Sequence, residues 1–214
     1  MAEERVPPVD NVRAKTKYHH GDLRESLISA AFQIVAERGA EHFSLADACR
    51  LAGVSTAAPY KHFRDRDEIL EQVVMRAFDV MSDRSMEAVV LHGEGTLAGI
   101  TAMGEAYIDF AVQQQALFRL MFGQHPTIKK ADCVLAEGRD CFGNVIEQVA
   151  IFCDRNKING DATDIAVRLW TFVHGAASLT IDEDYDAVVP DFDVKRMVRE
   201  ATPLLLNVSQ SRVK

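Results

Sequence analysis

No run of about 18 apolar residues occurs in the sequence, so no segment reads as a membrane-spanning helix. The first stretch, MAEERVPPVDNVRAKTKYHHGD, lacks the apolar core of a secretory signal, and the expected location is the cytoplasm. Cysteine is sparse: Cys49, Cys133, Cys141 and Cys153 form no CxxC pair and no zinc-ligand spacing. They are expected to be reduced and mostly buried, with a redox sensor as the minor alternative. The motifs GxSxG, GxGxxG, HExxH and the phosphate-binding P-loop are absent, which leaves no recognisable enzyme constellation and no expected cofactor or metal. There are no repeats, no low-complexity tract and no convincing strand. Apolar residues nonetheless make up 48% of the chain, enough for a full core, and their spacing is helical. The fold class expected is all-α, with about nine helices.

The most informative stretch is FSLADACRLAGVSTAAPYKHF, residues 43–63. Ser44 is a good N-cap, and Asp47 three residues on approximates a capping box. Leu45, Ala48, Cys49 and Ala52 share one helical face. Gly53 suits the left-handed residue that ends a helix. Ser55 is placed to cap a second helix, with Pro59 near its first turn, ending in Tyr60, Lys61, His62 and Phe63. Two short helices joined by a tight turn make a helix-turn-helix. The small residues Thr56, Ala57 and Ala58 would let the second helix enter a major groove, and Tyr60, Lys61 and His62 are phosphate-type donors. An ordinary helical hairpin is the bland alternative; the basic end and the arm before it weigh against that.

The net charge of −8 is unusual for a DNA binder, but its distribution is uneven. Residues 1–66 hold ten Lys and Arg against nine Asp and Glu, whereas 67–214 hold 14 against 23. Only the first part is suited to phosphate. Residues 1–17 read as a flexible basic arm, with Arg13, Lys15, Lys17, His19 and His20 before the first helix. That helix starts at Gly21 or Asp22, carries the stripe Leu23, Leu27, Ala30, Ala31, Ile34 and Val35, and ends at Gly39. Phe43 and Phe63 are expected to plug the same small core. Asp65 should cap a long helix to about Val90, with Arg66 in its first turn facing phosphate.

Further along, His92, Gly93 and Gly95 break the pattern and Thr96 opens a helix to about Ala111. A short apolar segment covers 116–122. A long helix spans about 130–154, with Gly138 and Gly143 inside it. Asn159-Gly160 is a turn, and Asp161 caps a helix to 181. Residues 182–190 read as an acidic loop, and a last helix runs from about 191 to 207. The divisions expected are thus an arm (1–17), a helix-turn-helix domain (18–66) and a helical bundle (67–214).

Tyr18 to Leu70, and above all AGVSTAAPYKHFRDRDEIL, resembles the DNA-binding domain of the TetR (tetracycline-repressor-like) family of transcriptional regulators. LWTFVHGAASL, residues 169–179, is similar to the Trp-x-x-x-His-Gly signature of one subgroup's ligand-binding domain. The resemblance implies a repressor that binds a palindromic double-stranded DNA operator as a homodimer, pairing through its last two long helices, and that a small-molecule effector releases. Lys17, Ser44, Ser55, Thr56, Ala57, Ala58, Tyr60, Lys61, His62 and Arg66 are the DNA-facing candidates. Phe and Met make adaptable pocket walls, so Met103, Tyr107, Phe110, Phe118, Met121, Phe122, Phe142, Trp170 and His174 are the candidates for a pocket holding a mostly apolar effector. For each, simple core packing is the competing reading, and for His174 it is slightly preferred. The small residues Gly175, Ala177 and Ser178, with Met197, Ala201 and Leu204, are the candidates for the dimer face. An all-α enzyme or carrier, or an architectural DNA-binding protein without effector, are the rival readings.

Overall fold

A computed structural model describes residues 22–123 and 125–207. The arm at 1–17, with Arg13, Lys15 and Lys17, lies outside the described residues, as do His19 and His20. The described residues form ten α-helices and no strand. They are α1 (Asp22–Arg38), α2 (Leu45–Ala52), α3 (Arg66–His92), α4 (Leu97–Gln113), α5 (Gln115–Phe122), α6 (Pro126–Lys129), α7 (Asp132–Asn156), α8 (Ala162–Ile181), α9 (Asp184–Val188) and α10 (Val194–Leu205). Two 3-10 turns, Ala40–His42 and Pro59–Lys61, complete the N-terminal part.

Local chemistry sets the helix ends. The Ser44 hydroxyl accepts the Asp47 N–H at 3.1 Å and donates to the Asp47 carboxylate at 2.6 Å, so the capping pair is closed through side chains. Gly53 takes φ 69°, and the Val54 N–H reaches back to the Cys49 carbonyl at 2.9 Å, which satisfies the orphan carbonyls of α2. Asp65, Thr96, Asp161 and Asp193 cap α3, α4, α8 and α10 in the same way. Gly95, at φ 57°, packs directly against Ile151 of α7, and its N–H donates to the buried Gln148 side chain at 2.8 Å; a larger residue there meets both backbone strain and the Ile151 side chain.

Three expectations are corrected. The segment 55–63 is not a regular α-helix: the Ala58 N–H bonds the Ser55 carbonyl and the His62 N–H bonds the Pro59 carbonyl, both three residues back. Pro59 has no N–H to continue an α-helical ladder through the middle of this segment. Ser55 accordingly caps nothing; the residue before this 3-10 turn is Ala58, without a side-chain cap. The acidic stretch after α8 is not all loop, since Asp184–Val188 make a short helix. The last helix is shorter than expected, starting at Val194 and carrying Pro203 inside it.

The helix α3, about 40 Å long at 1.5 Å per residue, joins the two ends of the molecule. It packs against α1 near its start and against α4 and α7 further along. One continuous core runs from Leu27 and Phe43 through Phe63, Leu70 and Phe78 to Phe110, Phe118 and Val198. A second core, around Val149, Phe152, Ile165 and Leu206, closes the far end. The helix α5 is the other bridge, packing on α1, α3, α4 and the turn at Ala40–His42. Its Arg119 donates to the Ile181 carbonyl at 2.9 Å and pairs with Asp182 at 2.9 Å, which fastens it to the end of α8.

Candidate nucleic-acid interface and effector cavity

The turn after α2 presents Ser55, Thr56, Ala57, Tyr60 and Lys61 to solvent, while Pro59 and Phe63 anchor it in the core. Tyr60 is 67% exposed, unusual for an aromatic with no packing role. Ala58 and His62 are half-buried. Two of the expected DNA-facing residues are otherwise engaged. Ser44 is held in its cap with Asp47, whose carboxyl its hydroxyl keeps below the usual range, with the Arg50 charge adding to that. Arg66 turns inward: its Nε donates to the Phe43 carbonyl at 3.1 Å, its Nη2 reaches the Ala40 carbonyl, and the guanidinium lies over the Phe43 ring. It braces the start of α3 against the turn at Ala40–His42.

A cavity of about 460 Å³ lies between α3, α4, α5, α7 and α8. Met103, Tyr107, Met121, Phe122, Phe142, Trp170 and His174 line it, seven of the nine expected. Phe110 and Phe118 do not. Phe110 is fully buried beside the Arg84 guanidinium. Phe118 backs the wall, stacked on His174 with ring centroids 5.4 Å apart and edge-on to Tyr107. Sequence reasoning missed the contribution of α3, namely Phe78, Met81, Ser82, Ser85 and Met86, and also Asn144, Lys129 and Arg139. Phe78, Met81, Ser82 and Ser85 recur at spacings of three and four, so one stripe on a long helix was available as a signal.

The polar groups of the cavity are few and ordered. The Tyr107 hydroxyl and His174 Nδ1 are 2.8 Å apart, and the Asn144 amide donates to Ser82 Oγ at 2.9 Å. Burial drives the Tyr107 phenol well above its ordinary range, although the Trp170 indole beside it acts in the opposite direction. Burial also pushes the His174 imidazole below its ordinary value, and the Lys129 charge lowers it further. The Cys141 thiol at the wall is pushed up to about 11 by burial, so it stays protonated. The cavity is therefore a mostly apolar chamber with a small hydrogen-bonding cluster, the arrangement typical of a small-molecule site.

The expected dimer residues divide. Leu204 is 60% exposed, and Gly175 opens onto empty space. Ser178, Met197 and Ala201 are half-buried. Ala177 is fully buried in this chain's own core and is corrected out of that face: on α8 it sits on the side of Val173, Ala176 and Ile181.

Residues 27–73 match the family model of bacterial regulatory proteins of the tetR family, and residues 100–202 match a tetracyclin repressor-like C-terminal domain. The chain belongs to the tetR family. Its relatives are transcriptional regulators, not enzymes. It is 35% identical over 63 residues to the HTH-type transcriptional repressor BepR of Brucella suis biovar 1 (strain 1330), a match covering 29% of this chain and 30% of that protein's length. A protein of unknown function from Rhodococcus sp. RHA1 superposes with a TM-score of 0.76 at 29% identity, over 90% of this chain and 97% of that one. The regulator FadR from Bacillus subtilis, solved in complex with stearoyl-CoA, shares the fold with a TM-score of 0.65 at 11% identity, over 86% of this chain and 97% of its own. No helix among the described residues is long and apolar enough to cross a membrane.

Proposed function

We propose that this tetR-family chain is a ligand-responsive repressor that binds a palindromic operator as a homodimer in the cytoplasm. Residues 18–66 act as the DNA-binding unit, preceded by the basic arm at 1–17 with Lys17, and residues 67–214 as the effector and pairing unit. Thr56 and Ala57 face base edges, while Tyr60, Lys61 and His62 contact phosphate. Ser44 and Arg66 support this surface by fixing α2 and the start of α3. The exposed faces of α8 and α10, with Gly175, Ser178, Met197, Ala201 and Leu204, pair two chains, placing two readers on a two-fold axis. Residues 169–179 belong with the Trp-x-x-x-His-Gly subgroup, a reading supported by Trp170 and His174 both lining the cavity.

The single observation that carries the effector reading is the cavity bordered by α5. Met121 and Phe122 of that helix line the cavity, and the same helix packs on α1. A ligand that prefers one position of α5 thereby shifts the reader unit and changes DNA affinity by its differential binding to the two states. The Asp161-capped α8, tied to α5 through Arg119, moves with it. The test is a thermal-shift screen of small apolar molecules followed by DNA-release titrations on the hits. Release of DNA by a molecule that also raises the melting temperature supports the reading. Stabilising hits that leave DNA bound would limit the chain to an architectural or constitutive role.

A further inference from the structure

The cavity is apolar in its walls, but its only ionisable groups of full charge are both cations. Lys129 and Arg139 line it, and no aspartate or glutamate does. This is an unexpected sign in a chain of net charge −8. Neither cation is neutralised within the described residues. Lys129 Nζ donates only to the Phe122 carbonyl, at 3.1 Å, and Arg139 makes no ion pair. The nearby carboxylates Asp79 and Glu137 lie behind the wall at Cys141, interact with one another, and are not among the lining residues. The carbonyl that holds Lys129 belongs to Phe122, whose ring lies 4.9 Å from that of His174, so the ammonium sits on the side of the chamber where the Tyr107–His174 pair lies. His174 Nδ1 is engaged with Tyr107, and the residue lines the cavity.

We infer that the effector is an amphipathic anion: an apolar body seated among Phe78, Met103, Phe142 and Trp170, with one anionic head met by Lys129 and Arg139. This inference rests on the effector reading given above and names its ligand class. The physical argument is one of complementarity. A neutral apolar ligand would gain nothing from the two cations, which water alone would continue to solvate. A cationic ligand would be repelled by both. An anionic head adds charge-assisted hydrogen bonds from a guanidinium and an ammonium, while the tail fills space that water fills poorly. The neutral imidazole of His174 can donate to the same head without adding a charge. Carboxylate and phosphate heads share this chemistry, and the experiment separates them.

Trp170 is the chain's sole tryptophan and lines the cavity, so its emission reports binding directly. The full-length protein is titrated, at submicellar concentrations, with dodecanoate, dodecyl phosphate and dodecan-1-ol. At least one of the two anions is expected to bind about tenfold more tightly than the alcohol, and the better anion identifies the head. In the Lys129→Gln, Arg139→Gln double variant, checked for an unchanged melting curve, the ratio of anion to alcohol affinity is expected to fall towards one. Lys129 and Arg139 are both exposed residues, so their substitution is expected to leave the fold intact. An alcohol that binds as tightly as both anions would overturn the anionic head and leave the effector pocket standing. No response of Trp170 to any of the three would overturn the ligand class, while the DNA-binding reading is tested separately by operator selection. A double variant that folds and keeps the full preference would place the head elsewhere and refute the role of these two cations.

Discussion

The Tyr107 hydroxyl and His174 Nδ1 stand 2.8 Å apart, tying α4 to α8 across one wall of the cavity. His174 is at once hydrogen-bonded to Tyr107, stacked on Phe118 and part of the cavity lining. Truncating one partner leaves the other's polar atom in largely apolar surroundings, at a cost of about 1–3 kcal/mol. Tyr107→Phe and His174→Ala are each expected to lower stability by that order in denaturant titrations. The double variant should lose clearly less than the two losses added together. Strict additivity would show that the two groups do not interact.

The same histidine is expected to give stability a pH dependence whose sign follows from its burial. Burial holds its folded-state basicity below the ordinary histidine value of 6.5. The unfolded chain therefore takes up a proton first as the pH falls. Stability from this group is complete above about 6.5 and is lost as the pH drops from there to the depressed folded value. Melting curves of wild type and His174→Gln between about pH 7.5 and 5, which brackets the ordinary histidine range, should diverge, with the wild type losing more. Parallel curves would remove His174 as a titrating group.

Ser85 of α3 lines the cavity without a side-chain partner of its own, so it is a place to fill that chamber. Ser85→Phe is expected to block quenching of Trp170 by the dodecyl ligands while the helical melting transition persists. Overpacking of this kind costs about 1–3 kcal/mol where space is short, and less in an open chamber. Undiminished quenching in a folded Ser85→Phe protein would place the ligand outside the cavity.

Much of this architecture was legible in the sequence. The caps Ser44, Asp65, Thr96 and Asp161 mark helix starts by chemistry that acts over three residues, so the helix order follows from local pattern. The lining of the chamber was partly legible because aromatic and Met side chains are conspicuous. Ser82, Ser85, Asn144, Lys129 and Arg139 were not, because whether a polar side chain faces a cavity or solvent depends on how α3, α6 and α7 dock. Ala177 failed for a related reason. Small residues suit close packing, but the sequence does not say whether the neighbour is α4 of the same chain or a second copy. Ser55 failed because Pro59 overrides its capping preference.

That correction changes how the pairing face is to be tested. Ala177→Glu would place a charge in the chain's own core and is expected to cost several kcal/mol of folding stability in a monomer or dimer alike. Leu204→Glu changes a residue that is 60% exposed in the single chain. It should leave the fold intact and shift sedimentation towards the monomer. A Leu204→Glu protein that sediments as wild type would move the pairing face away from the end of α10.

The central claim is that the exposed turn from Ser55 to Lys61 reads an operator. It is tested most directly by selecting duplexes from a random pool with the full-length protein, then titrating the selected duplex across a range of salt. An inverted repeat is expected, with affinity falling linearly in log salt. Lys61→Ala should weaken binding to all duplexes alike and lower that slope by about one, whereas Thr56→Ala should alter preference at one position in each half-site. A pool without enrichment, or binding indifferent to salt and to both substitutions, would contradict it.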